Sequence, residues 1–217
     1  MKKIEIFALS LFTLVFCGIK SNAQIDDTKA KTTLDAVSAK MKSYTTMKID
    51  FTYSMVNDKT KVNESKSGTI QIKGSKYHLE IGGQIVFCDA TTVWTYLKDD
   101  NEVNVNNAST QEDATNPTTI LNNYSKNFKP KFIKEEVQGG KTIAVIDMTP
   151  IKAKSYYKVR LNIDKIAQQI VSTSVYDKNG STYTYTVTKF ASNLPMADAL
   201  FTFVKANYPG VQVNDMR

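Results

Sequence analysis

The sequence has very few of the residues on which catalytic and metal sites depend. His78 is its only histidine, and Cys17 and Cys88 are its only cysteines. A histidine-activated nucleophile would have to be built around His78, on a strand-like segment between Tyr77 and Leu79, and one histidine with one cysteine does not fill a zinc site. No serine lies in a Gly-x-Ser-x-Gly motif. We therefore expect no enzymatic activity, no metal and no cofactor, and a hydrolase built on His78 is the least favoured alternative.

Arginine is also scarce. Arg160 and Arg217 are the only arginines, so lysine supplies nearly all the positive charge of a chain whose formal net charge is +7. Recognition of phosphates and base edges prefers the bidentate fork of arginine. We therefore expect no nucleic-acid partner.

No hydrophobic run is long enough to span a membrane. The longest, Ile6–Ile19, has about 14 residues, whereas a membrane-spanning helix needs about 20. The run follows the positive charges of Lys2 and Lys3 and precedes the Ser-Asn-Ala sequence at 21–23, which has small residues where a signal peptidase reads them. We therefore predict a secretory signal peptide over residues 1–23.

Export sets the expected location and the extent of the folded domain. Cleavage near Ala23 and Gln24 leaves residues 24–217, a length that suits one domain, in the periplasm. Lipid attachment at Cys17 is a less favoured alternative, because the bulky Phe16 stands where such sites have a small residue.

Beyond residue 24, the spacing of apolar side chains changes from a helical to a strand period. Apolar residues first recur at steps of three and four, which predicts one amphipathic helix whose start residues 26–28 could cap. This helical set is Ala30, Leu34, Val37, Met41 and Tyr44. From Met47 to Met55 apolar and polar residues alternate, which predicts a strand with one apolar face.

Further short segments, separated by glycine and Asp-Asn turns, predict an antiparallel series of strands. They are 68–73, 76–81, 84–89, 92–97, 102–106, 131–137, 142–148, 156–163, 167–176 and 181–190. Residues 107–116 are too polar for anything but a loop, and Pro117 suits the first turn of a helix that runs to about Asn127. The apolar side of this second helix comprises Ile120, Leu121, Tyr124 and Phe128.

About ten or eleven antiparallel strands and two amphipathic helices must bury their apolar sides together. A curved antiparallel sheet that forms an incomplete, half β-barrel over the helices meets this requirement, so we predict an α+β fold of that kind. The aromatic side chains on the strand faces suit either a filled core or the wall of a ligand cavity. Taken alone, such aromatic faces favour the filled core, and periodicity does not distinguish a filled interior from an empty one.

Several motifs, in order along the chain, carry a resemblance to a known family. The C-terminus reads Phe-Thr-Phe at 201–203 and PGVQVNDMR at 209–217. Residues 89–96 read DATTVWTY and are similar to the family's Asp-Gly-x-x-Leu-Trp-x-Tyr strand, with Ala90 where glycine is usual. The other matches are Phe51-Thr52, Gly68-x-Ile70-x-Ile72-Lys73, Asn116-Pro117 with Ile120-Leu121, and Thr149-Pro150. Together they resemble the LolA-type periplasmic carriers of outer-membrane lipoproteins.

The resemblance implies an apolar cavity beneath the sheet, with the helices acting as its lid. It implies a carrier that takes acylated lipoproteins from an inner-membrane release complex and passes them to an outer-membrane acceptor, and we expect a monomer. Alternation along the strands gives candidate lining side chains at Phe51, Tyr53, Ile72, Tyr77, Leu79, Trp94 and Tyr96. The candidate lid residues are Ile120, Leu121 and Tyr124.

One position departs from the family. Well-studied members carry an arginine just after the lysine that matches Lys73, and it hydrogen-bonds to the lid, whereas this sequence has Gly74 and Ser75. We therefore expect apolar contacts to hold the lid. A related lipid-binding or envelope-sensor module of the same fold, with different cargo, stays open as the alternative, as does a module whose aromatic faces are filled core.

Overall fold

The computed structural model describes residues 22–110, 121 and 124–217, with the backbone alone for 22–25 and 110. Most of the predicted signal peptide, Pro117 at the expected start of the second helix and the candidate lid residue Ile120 lie outside the described residues. Within them, one twelve-stranded sheet, two α-helices and three short 3-10 turns form the fold.

The first helix, α1, is Asn22–Lys42, and the second, α2, is described over Tyr124–Asn127. The 3-10 turns are Ala108–Thr110, Asp198–Phe201 and Lys205–Asn207. The strands are β1 Met47–Asn57, β2 Val62–Lys73, β3 Lys76–Ile81, β4 Gln84–Cys88, β5 Thr92–Leu97, β6 Glu102–Asn107, β7 Phe128–Gln138, β8 Lys141–Pro150, β9 Tyr156–Asp164, β10 Gln169–Asp177, β11 Thr182–Ser192 and β12 Gln212–Asp215.

The strands form a single open sheet in the order β12, β6, β5, β4, β3, β2, β1, β11, β10, β9, β8, β7. Neighbours are antiparallel except β12, which runs parallel to β6. Because β7 and β12 occupy opposite edges, the sheet curves without closing. The predicted α+β fold with an incomplete barrel is confirmed, with one strand more than expected.

The strand bounds differ from the predicted ones where polar residues hide the pattern. β3 and β5 have the predicted bounds. β2 begins at Val62, six residues before the predicted start at Gly68. The prediction missed its first half because these residues are largely exposed and few of them are apolar. β7 begins at Phe128, which was predicted for the apolar side of the second helix. Pro130 disfavours helical backbone in the residue before it, so the chain is already extended there.

Two further corrections concern the ends of the domain. β12 was not predicted, because four mostly exposed residues carry no alternation, and its parallel pairing with β6 joins distant parts of the chain. The first helix begins at Asn22, so residues 26–28 lie within it and do not cap its start.

The apolar side of α1 packs on one face of the sheet, which we call the helix face. Ala30, Leu34 and Val37 are buried there, as the helical spacing predicts, against side chains of β7 to β10. A second apolar cluster on the same face joins β1 to β5, and Met41 near the end of α1 packs against both clusters. The sheet and the C-terminal end of α1 therefore enclose apolar space beside Met41.

The opposite face of the sheet, which we call the outer face, is covered over β3 to β6 by the C-terminal segment 194–211, which precedes β12. Phe201 is fully buried, and the rings of Phe203 and Tyr208 contact Phe87 of β4 and Tyr96 of β5. Strands β4 and β5 therefore carry apolar side chains on both faces. Because both faces of these strands are covered, the apolar character of a residue does not by itself show whether it faces the cavity or the C-terminal segment.

Candidate functional site

An apolar cavity of about 450 Å³ lies between the C-terminal end of α1 and the helix face of the sheet. Its walls come from α1, β1 to β5, β10 and β11. The volume lies within the range of roughly 300–1,000 Å³ that small-molecule sites occupy, towards its lower end. The sheet is thus not packed solid beneath α1.

Strand alternation supplies most of the apolar lining. On β1 every second residue, Ile49, Phe51 and Tyr53, faces the cavity, and the same rule brings in alternate residues of β3. The apolar and aromatic lining comprises Met41, Tyr44, Ile49, Phe51, Tyr53, Ile70, Tyr77, Leu79, Ile81, Val86, Val93, Ile170, Tyr185, Val187 and Phe190. A chain of methylene groups would meet almost continuous apolar surface.

Four of the seven predicted lining residues lie in the wall of this cavity: Phe51, Tyr53, Tyr77 and Leu79. Ile72 belongs to the same apolar cluster and is 2% exposed, but it does not line the cavity. It lies between Met47 of β1 and Tyr77 of β3 at the end of β2. The structure therefore brings the candidates of β1 and β3 together.

Trp94 and Tyr96 are placed on the wrong face by the sequence prediction. Their neighbours Val93 and Thr95 line the cavity, so alternation puts Trp94 and Tyr96 on the outer face. Tyr96 there packs at 4.5 Å between ring centroids on Tyr208 of the C-terminal segment. The prediction failed because the larger aromatic residues of β5 face this segment, while smaller residues face the cavity.

The candidate lid residues occupy a different place from the one expected. Leu121 and Tyr124 are buried, but they pack in the cluster of α1 with β7 to β10 and do not line the cavity. Ile120 lies outside the described residues. Among the described residues, Met41 and Tyr44 at the end of α1 are the helical side of the cavity wall.

The contribution of β11 to the lining was not predicted from the sequence. Tyr185 and Val187 alternate on this strand as clearly as the chosen residues of β1 do. The register pairs Phe51 with Val187 and Tyr53 with Tyr185, which puts both pairs on one face. Alternation on β11 was visible in the sequence. What the sequence did not reveal is that the first predicted strand pairs with the last.

The polar lining side chains are Lys66 and Gln84 near the turn between β3 and β4, Thr95 on β5, and Gln169 and Thr173 on β10. Lys66 of β2 is the one charged residue among the described residues that line the cavity, and Gln84 follows the turn. Lys66 lies opposite Tyr53 in the ladder of β1 and β2. Burial raises the pKa of the Tyr53 hydroxyl, and Tyr183 and Glu64 raise it further, so this hydroxyl stays neutral and able to donate.

His78 is buried on the outer face, away from the cavity. Its ring stacks on Phe87 at 4.8 Å between centroids, and neither ring nitrogen has a hydrogen-bond partner among the described residues. Burial lowers the pKa of His78, and Glu80 opposes this in part. No three histidine, cysteine, aspartate or glutamate side chains of the described residues converge as a metal-ligand set.

Residues 42–204, which contain nearly all of the cavity wall, match the family described as outer membrane lipoprotein carrier protein LolA. The chain belongs to this family. The resemblance seen in the motifs is thereby confirmed. The family is one of lipid- or lipoprotein-binding carriers and related modules of the bacterial envelope, and its members bind or carry rather than catalyse.

Solved structures resemble this chain at low sequence identity. An uncharacterized conserved protein from Thermus thermophilus superposes with a TM-score of 0.59 at 12% identity, over 86% of this chain and 99% of that chain. The lipoprotein LppX of Mycobacterium tuberculosis gives 0.46 at 16% identity, over 82% and 99%. The LolA superfamily protein NE2245 from Nitrosomonas europaea gives 0.44 at 13% identity, over 80% and 97%. No significant relative was found among curated proteins.

No helix among the described residues has the length and apolar character needed to cross a membrane.

Proposed function

We propose that this protein is a periplasmic carrier that shields acyl chains of lipoproteins in the cavity beneath α1 and transfers them from the inner to the outer membrane. The observation that carries the proposal is the apolar cavity of about 450 Å³ in a chain of the LolA family. Each buried methylene contributes about 0.8 kcal/mol, so a sixteen-carbon chain left in water forfeits on the order of 10 kcal/mol. A cavity of this kind offsets that cost.

The carrier would work without catalytic groups. Its partners would be acylated lipoproteins, an inner-membrane release complex and an outer-membrane acceptor, and the exported protein, cleaved near Ala23, would act as a monomer. The cavity suits one acyl chain better than several, so loading of a multiply acylated lipoprotein would require α1 to move away from the sheet. Such a movement would withdraw Met41 of α1 and Tyr44, which follows the end of the helix.

The proposal is tested by lipoprotein release from spheroplasts of the source bacterium. Added mature protein should bring acylated lipoprotein into the soluble fraction as a complex that gel filtration and mass spectrometry detect. Val86→Trp, which fills the cavity, should release little, whereas Ile85→Trp, at the adjacent position on the outer face, should match the wild type. Lipoprotein that stays with the cells in the presence of wild-type protein would rule out lipoprotein carriage.

A carrier of single-chain lipids is the second candidate, and the modest cavity volume favours it. The same spheroplast supernatants separate the two, because mass spectrometry of the bound material distinguishes a free lipid from an acylated protein. Wild-type protein that leaves with free lipid and no lipoprotein would establish the second function over the first.

A further inference from the structure

Lys66 is placed at the mouth of the cavity. Among the described residues that line the cavity it is the one that carries a charge, and its side chain is 47% exposed. The deeper wall, formed by residues such as Phe51, Ile70 and Val86, is apolar. A ligand chain that entered this cavity would therefore leave its polar end near the ammonium group of Lys66.

Gly82 has no side chain and therefore leaves room for the side chain of Lys66. The glycine lies in the turn between β3 and β4 with a φ of +51°, and a Cβ atom added to it would lie 2.5 Å from Cδ of Lys66 and 3.5 Å from its Nζ. The aliphatic part of Lys66 therefore crosses the glycine surface, while its ammonium group reaches towards solvent. Gln84, on the far side of the same turn, adds a polar group to the mouth.

The carboxylate partner of Lys66 among the described residues is Glu64, and the pair is weak. Nζ of Lys66 lies 3.6 Å from Oε2 of Glu64, and the two side chains are 47% and 52% exposed. Exposed pairs of this kind contribute about 0–1 kcal/mol. An anionic group held at the cavity mouth by its own buried chain would compete well for the ammonium group.

We infer that Lys66 selects acyl ligands that carry an anionic head group, a carboxylate or a phosphate, next to the chain. This inference rests on the proposed binding of acyl chains in the cavity. Burial of the apolar chain determines how far the ligand enters the cavity. The ammonium group of Lys66 then attracts a negatively charged head group at the mouth. Because one partly exposed pair is involved, we expect a preference of about three- to fivefold over an uncharged head group.

The test compares ligands that share one chain. Mature protein is titrated below the micelle concentration with palmitate, hexadecyl phosphate and hexadecanol. Palmitate, hexadecyl phosphate or both should bind about three- to fivefold more tightly than hexadecanol, and added salt should reduce the difference. If only palmitate binds more tightly than hexadecanol, the ligand is fatty-acid-like. If only hexadecyl phosphate does so, the ligand is phospholipid-like.

Variants locate the preference. Lys66→Met should bind all three ligands alike, and Lys66→Gln, which keeps a polar group at the mouth, should do the same and serves if the first variant folds poorly. Lys131→Met removes the same charge from the exposed strand β7 and should keep the preference. Equal affinity of wild-type protein for all three ligands would overturn the role of Lys66 while leaving acyl binding intact. If none of the three ligands binds, acyl binding itself is overturned.

Discussion

The Tyr124 hydroxyl donates a hydrogen bond to Oδ1 of Asp35, which ties α2 to α1. Lys31 of α1 donates to the other oxygen of the same carboxylate at 2.6 Å. The Lys31 bond, followed by the Tyr124 bond, holds the pKa of Asp35 below its usual range. The second helix therefore has a directional contact as well as apolar ones, which corrects the expectation drawn from the missing arginine near Lys73.

Tyr124→Phe removes this hydrogen bond and leaves the ring in place. We expect a loss of about 1 kcal/mol in the free energy of unfolding, because Asp35 is half exposed and water can replace the lost donor. Urea unfolding measures the loss. Tyr157→Phe, at a half-exposed tyrosine of β9, is the matched control, and equal stability of the two variants would contradict the importance of the Tyr124 contact.

His78 should make stability depend on pH. Burial lowers its pKa in the folded state, whereas in the unfolded chain the pKa is about 6.5. The unfolded state therefore takes up the proton first as the pH falls, so stability that is present above about pH 6.5 is lost as the pH falls through the lowered folded pKa.

The single histidine makes this effect measurable. We expect the urea midpoint of the wild type to fall more between about pH 7.5 and about pH 5 than that of His78→Phe, which keeps an aromatic ring against Phe87. The negative charge of Glu80, 3.8 Å from Nε2, works against the shift but is half exposed. Parallel pH curves for the two proteins would show that His78 is not held neutral.

Gly68 makes room for an aromatic ring in the cavity wall. A Cβ atom at this position would lie 2.5 Å from Cζ of Phe51 and 2.9 Å from the carbonyl oxygen of Glu80, and the backbone oxygen cannot give way. Gly68→Ala should destabilise the fold by about 1–3 kcal/mol and weaken acyl binding, because the ring must move into the cavity. Ser67→Ala, at the adjacent exposed residue, should change neither quantity, and a stable Gly68→Ala protein with normal binding would refute the close packing.

Ala90 occupies a backbone conformation that favours glycine. Its φ is +85°, in the turn where Asp89 accepts hydrogen bonds from the backbone of Thr91 and Thr92. Ala90→Gly should therefore stabilise the protein by about 0.5–1 kcal/mol despite the added freedom of the unfolded chain. The same change in the helix, Ala39→Gly, should destabilise it by about 0.5–1 kcal/mol. Destabilisation by both changes would contradict the account of the turn.

Local patterns predicted the elements better than they predicted the faces. Strands β3 and β5 have the predicted bounds, because alternation and glycine or Asp-Asn turns act within a few residues. The face of β5 was wrong because Trp94 and Tyr96 are apolar enough for either side. Only the return of the C-terminal segment, a contact between distant parts of the chain, decides that they face outward.

The alternation of apolar and polar residues could not predict the cavity for a similar reason. Alternation marked Phe51 and Tyr53 as inward-facing residues but gave no information on whether anything fills the space in front of them. The pairing of β1 with β11, and the position of Met41 of α1 and of Tyr44 just after this helix, determine that space. The ligand wall is therefore a property of the assembled sheet and helix.

Titration of the mature protein with a fluorescent sixteen-carbon fatty acid tests the central claim, reversible binding of an acyl chain in the cavity, most directly. We expect saturable one-to-one binding by the wild type and by the outer-face variant Ile85→Trp, and loss of binding in Val86→Trp, whose indole would occupy the cavity. Circular dichroism would establish that all three proteins are folded. Non-saturable binding by the wild type, or equal binding by Val86→Trp, would contradict the claim.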